Sequence, residues 1–166
     1  MGDLFNQSDN GALFSEDNNY RFALWRIWDK ELPMVMFIGL NPSVANHEKD
    51  DPTIRRVKSF AKAWGYGGVY MLNLFTYVTP YPVKLLGHYN DPVCMDDSYL
   101  IQYANKSEKI IFAWGSFAEA RRRSEHIINL FPGAYALSVN GNGSPKHPLY
   151  VAGNTIPVLF KTTLIN

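Results

Sequence analysis

The chain has 166 residues, 46% of them hydrophobic and 14% aromatic, a size at which one domain buries roughly two thirds of its unfolded surface around a single core. No stretch approaches the ~18 uninterrupted apolar residues of a membrane-spanning helix, and a formal charge of +1 supplies no global positive field to attract nucleic acid. Cys94 is the only cysteine, which excludes an internal disulfide and a thiolate cluster for zinc or iron–sulfur.

Residues 1–166 are read as one domain. Met1 to Ser15 is rich in Asn, Asp, Ser and Gly and lacks the basic and apolar regions of a secretory signal, so it is expected to be a loosely ordered segment of a cytoplasmic protein. Tyr20 to Trp28 carries aromatic and aliphatic residues in loose alternation and predicts an opening strand, closed by a charged turn and Pro33. Met34 to Ile38 is a continuous apolar run, the pattern of a central parallel strand covered on both faces. Asp51 and Pro52 then supply a helix cap and a first-turn residue. Ile54, Val57, Phe60, Ala61 and Trp64 recur at helical spacing until Gly65 ends the pattern.

Gly67-Gly68 leads into a second buried strand, Val69 to Phe75, interrupted by a single amide at Asn73. Asp91-Pro92 repeats the earlier start signal and predicts a second helix to about Ser107, with Cys94 inside it as a small buried hydrophobe. Lys109 to Trp114 is a third apolar strand. Gly115-Ser116 opens a third helix that carries Phe117, Ala120, Ile127 and Phe131 inward and ends near Pro132-Gly133. Ala134 to Val139 follows as a fourth strand, then the turn-rich segment Asn140 to Pro148 and a short apolar tail, Ile156 to Phe160. The local basic runs, Arg55, Arg56 and Lys58 and then Arg121, Arg122 and Arg123, are read as solvated helix faces.

Strands alternating with helices predict an α/β fold with a parallel sheet and helices on both faces. In such sheets ligands bind at the carboxyl ends of the strands. That rule selects the loop after Ile38, the strand end at Asn73 to Thr76, the Trp114-Gly115-Ser116 turn and the loop from Asn140 to Pro148.

Gly39, Leu40, Asn41, Pro42 and Ser43 combine a flexible turn, an amide, a rigid ring and a hydroxyl, able to turn polar groups toward a ligand. Asn73 offers donors and an acceptor suited to a nucleobase edge, or alternatively satisfies a backbone group at the strand end. His147, between small residues and prolines, is placed to donate to a developing anion or to act in acid–base chemistry, with Lys146 beside it for a phosphate. His47, Glu48, Asp50 and Asp51 form a polar cluster whose spacing matches no closed metal site, and Asp51 is read first as a cap; no metal and no cofactor are expected. GxSxG, GxGxxG, Walker A and HExxH patterns do not occur.

The strings Gly39-Leu40-Asn41-Pro42-Ser43, Asp51-Pro52-Thr53-Ile54-Arg55-Arg56, Trp64-Gly65-Tyr66-Gly67-Gly68, Asn73-Leu74-Phe75 and Ser144-Pro145-Lys146-His147-Pro148-Leu149-Tyr150 resemble the bacterial and phage family catalogued as domain of unknown function 1643. At greater distance the layout is similar to the uracil-DNA glycosylase superfamily, which implies a three-layer α/β/α fold with a short, mainly parallel central sheet. By that resemblance Gly39 to Pro42 matches a Gly-x-Asp/Asn-Pro motif in its Asn-containing version, so Asn41 would position water. His147-Pro148 falls where a His-Pro loop contacts the base oxygen, and Asn73 where an Asn reads the base edge. The carboxylate of the most active members has no counterpart at Asn41, and no serine follows the His-Pro pair.

The resemblance implies a DNA glycosylase for an unusual or modified base, with Asn41 and His147 catalytic, Gly39, Leu40, Pro42, Ser43, Asn73, Phe75, Ser144 and Lys146 binding substrate, and an aromatic from the His47 loop, Phe75 or Tyr77 stacking on the base. The near-zero charge keeps a second class open. This is a pocket that captures a free nucleotide, nucleoside or nucleotide second messenger without catalysis, as a phage would use against host signalling. An enzyme acting on free nucleotides lies between the two.

Overall fold

The apolar run after Pro33 becomes β3 (Met34–Gly39), and all six of its residues are buried. In the computed structural model, which describes residues 9–161, the equally buried β4 (Gly68–Asn73) and the shorter β5 (Lys109–Phe112) pair with it in parallel, one on each side. Successive side chains of a strand point to opposite faces, so Val35 and Phe37 enter one core while Met36 and Ile38 enter the other. The first core is covered by α1 (Pro52–Ala63) through Ile54, Val57, Phe60 and Ala61. The second is covered by α2 (Ser98–Ala104) and α3 (Arg121–Leu130), which contribute Leu100, Tyr103 and Ile127.

Four further strands extend the sheet: β1 (Asp9–Phe14), β2 (Arg21–Ile27), β6 (Tyr135–Ala136) and β7 (Val158–Leu159). The order is β1-β2-β4-β3-β5-β6-β7. Pairing is parallel from β4 through β6 and antiparallel for β1 with β2, β2 with β4, and β6 with β7. The protein is thus α/β with a seven-stranded mixed sheet, which corrects the expectation of a mainly parallel one. Short connections allow antiparallel neighbours, whereas parallel ones need a crossover, and the β1–β2 link spans only residues 15–20.

Four boundaries also differ from the sequence reading. Residues 9–14 of the segment expected to be loose form an edge strand, with Gly11 pressed on Trp25 so closely that a Cβ there would stand 2.3 Å from the indole Cζ2; residues 1–8 lie outside the described residues. The second helix begins at Ser98 and not at Asp91-Pro92. Asp91 Oδ1 accepts the Val93 N–H (3.0 Å), and Thr76 binds the Val93 and Cys94 carbonyls through its hydroxyl and N–H (2.7 and 2.8 Å), so those carbonyls are tied to the end of β4. Cys94 is fully buried, in a turn. The strand predicted over residues 134–139 shortens to β6, and α3 starts after a 3-10 turn at Ala118–Ala120.

Candidate functional site

The parallel register of β3 and β4 sets Gly39 beside Asn73. Beyond that pair the two chains continue side by side. Leu74 N–H donates to the Gly39 carbonyl (2.9 Å), Phe75 N–H to Leu40 (3.0 Å) and Thr79 N–H to Pro42 (2.9 Å). Asn41 closes this junction, because its Nδ2 donates to the carbonyls of Pro42 (3.0 Å) and Thr79 (2.8 Å), with the Tyr77 carbonyl at 3.5 Å. Carbonyls only accept, so these contacts set the amide's orientation and leave Oδ1 as its unbonded acceptor.

A cavity of about 200 Å³ opens at this edge of the sheet. Gly39, Leu40, Asn41, Pro42, Ser43, Asn73 and His147 all line it, which brings together most of the residues singled out in the sequence. The volume is below the ~300–1,000 Å³ usual for drug-sized ligands and suits one small ring system. A larger hollow of about 300 Å³ lies at the opposite end of the sheet, between residues 107–110 and 130–135. Lys109 there lies over the Tyr135 ring, 4.3 Å from its centre, and the strand-end rule favours the smaller cavity.

Asn73 is only 6% exposed, and its carboxamide makes no hydrogen bond to another described residue but reaches the open cavity. It has room because position 39 is glycine, where a Cβ would stand 2.7 Å from Asn73 Oδ1. His147 caps the 3-10 turn Pro148–Tyr150, its Nδ1 accepting the Leu149 N–H at 3.1 Å. A backbone N–H can only donate, so the neutral ring carries its proton on Nε2. Burial lowers the His147 pKa from its ordinary 6.5, against the opposing pull of the Asp51 charge. At neutral pH His147 is therefore an uncharged Nε2–H donor on the cavity wall.

Its loop is held from several sides. Gly115 N–H donates to Pro145 and Lys146 N–H to Ser138, both at 2.9 Å, while Arg56 on α1 donates to the carbonyls of Pro148 (3.2 Å) and Val151 (3.0 Å). Asp51 caps α1, with Oδ1 accepting the Ile54 N–H (2.9 Å), and also lines the cavity. Asp50 is occupied by Arg26 and Lys58, both at 2.8 Å, while His47 and Glu48 are exposed.

Other expected residues stand elsewhere. Phe75 is buried and stacks on Tyr89, and Tyr77 stacks on His88, so neither ring lines the cavity, nor does the His47 loop supply one. The aromatic there is Trp114, at the end of β5. Ser144 bonds Asn142 (2.6 Å) and, like Lys146, lies outside the lining. The basic runs are not simple solvated faces: Arg123 is buried against Asp97 and the Leu74 carbonyl, and Arg56 clamps the His147 loop. Sequence reading missed Arg21, which is 3% exposed and lines the cavity from the start of β2. Its signal was an arginine opening a strand in which Arg26 is the one other charged residue.

The family model for proteins of unknown function DUF1643 matches residues 21–149, from the first residue of β2 through the His147 loop. The chain belongs to the DUF1643 family. Comparison of this DUF1643 protein with curated proteins and with solved structures gives no match. The matched span contains every residue that lines the cavity.

Proposed function

We propose that the cavity receives a nucleobase and that the protein hydrolyses the N-glycosidic bond of an unusual or modified base, in a three-layer fold of uracil-DNA glycosylase type. The observation that carries this reading is Asn73, a buried carboxamide without a protein partner, facing a cavity of single-ring size. Its side-chain atoms are not among the fully enclosed unpaired ones, so the amide meets solvent in the open cavity, and a base edge can supply matching donors and acceptors in place of water.

Asn41 Oδ1 accepts a hydrogen bond from water and aims it at the anomeric carbon. As the C–O bond forms, the C–N bond breaks and its electron pair leaves with the base, where the His147 Nε2–H stabilises the developing negative charge. The amide of Asn41 cannot take up the water proton, which passes to solvent. A base that departs readily as an anion fits this arrangement best. In DNA the target nucleotide would be extruded into the cavity.

Incubation with single- and double-stranded DNA carrying a panel of modified bases should produce alkali-labile abasic sites with the wild type and none with Asn41→Ala or His147→Ala. Capture of a free nucleotide without turnover is favoured by the surroundings. Arg56 and Lys58 are spent on internal contacts, and exposed Val44, Tyr81, Val83 and Tyr150 adjoin lining positions. If no DNA is cleaved while nucleotides raise the melting temperature and are recovered intact, hydrolysis is refuted and capture stands.

A further inference from the structure

Among the described residues, Arg21, Arg26 and Arg123 are buried arginines, at 3%, 1% and 8% exposure. Desolvating a cation is strongly unfavourable unless an anion or a full set of acceptors replaces the lost water. Arg26 meets Asp50 at 2.8 Å together with backbone carbonyls, and Arg123 meets Asp97 and the Leu74 carbonyl. Arg21 differs. Its Nη1 donates to the Ala45 carbonyl (3.1 Å); its Nε, like Arg123 Nη2, has no partner, but for Arg21 alone no carboxylate among the described residues comes within ion-pairing distance. It is also the one of the three that lines the cavity.

The Asp51 charge favours the cation through space, without an ion pair and with its Oδ1 occupied by the Ile54 N–H, while the Arg26 charge opposes it. Burial pulls the guanidinium pKa down to about 10, so the group remains a cation at neutral pH. The first turn of α1 faces the same space. Pro52 has no N–H, and those of Ile54 and Arg55 are bound by Asp51 (2.9 and 3.0 Å), which leaves the Thr53 amide unclaimed at the positive end of the helix. Thr53 and Arg21 both line the cavity.

We infer that Arg21 is the anion-binding group of this cavity, assisted by the Thr53 turn, and that the ligand presents a phosphate there beside the base read by Asn73. The inference rests on the nucleobase reading above and narrows it to a phosphate-bearing nucleotide. A guanidinium fork matches phosphate oxygens better than a neutral sugar hydroxyl.

The test titrates the whole protein with nucleosides, with their 3′- and 5′-monophosphates, and with inorganic phosphate, at low and high salt. A monophosphate should bind about tenfold or more tightly than its nucleoside, the return expected for a hydrogen bond to a charged group. The advantage should shrink with added salt and disappear in Arg21→Met, while Arg21→Lys keeps part of it. The wild-type ratio needs no variant, so the test holds even if Arg21→Met fails to fold. Equal affinity for nucleoside and monophosphate, or an unchanged ratio in Arg21→Met, overturns the role of Arg21 and leaves the base reading in place. Inorganic phosphate binding as tightly as any nucleotide supports Arg21 and removes the base reading. Silence from every probe overturns both.

Discussion

Asn41 is held by its donor and not by its acceptor, and this makes its replacement by aspartate informative. In Asn41→Ala the bonds to the Pro42 and Thr79 carbonyls, 3.0 and 2.8 Å, are lost. Pro42 keeps the Thr79 N–H (2.9 Å) as a donor, but the Thr79 carbonyl loses its side-chain partner. At a net ~0.5–1.5 kcal/mol per bond, the loss is about 1–3 kcal/mol. That corresponds to a melting temperature lower by about 3–10 °C for a chain of this size, and it leaves the protein folded. Asn41→Asp should cost more at neutral pH, because a carboxylate oxygen would face those same carbonyl oxygens. The native state then disfavours the charged form, so the folded pKa rises and stability returns as pH falls through it. Urea unfolding of the three proteins at pH 7 and pH 5 tests this. If both variants lie within ~0.5 kcal/mol of wild type, the range of neutral surface changes, the amide does not tie the loops together and its assigned orientation is wrong.

Gly39→Ala puts a Cβ 2.7 Å from Asn73 Oδ1 and from Met71 Cε. Overpacking of this kind costs ~1–3 kcal/mol, and ligand affinity should suffer more than stability because Asn73 must move; calorimetric titration beside thermal melting separates the two effects. Arg26→Met removes one of the two cations on Asp50 and the donor to the Trp25 carbonyl, and should destabilise by ~1–3 kcal/mol, read from urea midpoints; a loss below ~0.5 kcal/mol would show that Lys58 alone suffices. His147 binds its proton less readily in the native state than the ordinary 6.5. Below that pH the unfolded chain therefore takes up more protons, and stability falls as pH drops while being unaffected above. His147→Gln should flatten that acid limb, and an identical slope in wild type and variant would refute the assignment.

The centre of the sheet was legible because burial on both faces leaves a composition that needs no context, as in Met34 to Ile38. The start of α1 was legible because a cap is a local chemical device. The same Asp-Pro pair at 91 misled, since there Thr76, distant in sequence, binds the carbonyls that follow. Positional reasoning found Gly39 to Ser43, Asn73 and His147 as one cavity, whereas it could not assign which atom of Asn41 is free, which depends on carbonyls at 42, 77 and 79. Arg21 was invisible for a related reason. A buried cation is recognised by the partner it lacks, and that is a property of three-dimensional neighbours.

The pairing of Gly39 with Asn73 has a consequence for how this protein can fail. Side chains alternate along a strand, so a slip of one residue between β3 and β4 would set Leu72 or Leu74 beside Gly39 and rotate the amide away from the cavity. Such a slipped chain would keep its apolar content and much of its hydrogen bonding, and would look folded to a dye or to far-ultraviolet circular dichroism. On the proposed reading of the cavity, ligand capacity per mole of protein counts the molecules whose central strands have docked in the correct alignment, a gauge of preparation quality that conventional folding probes do not supply.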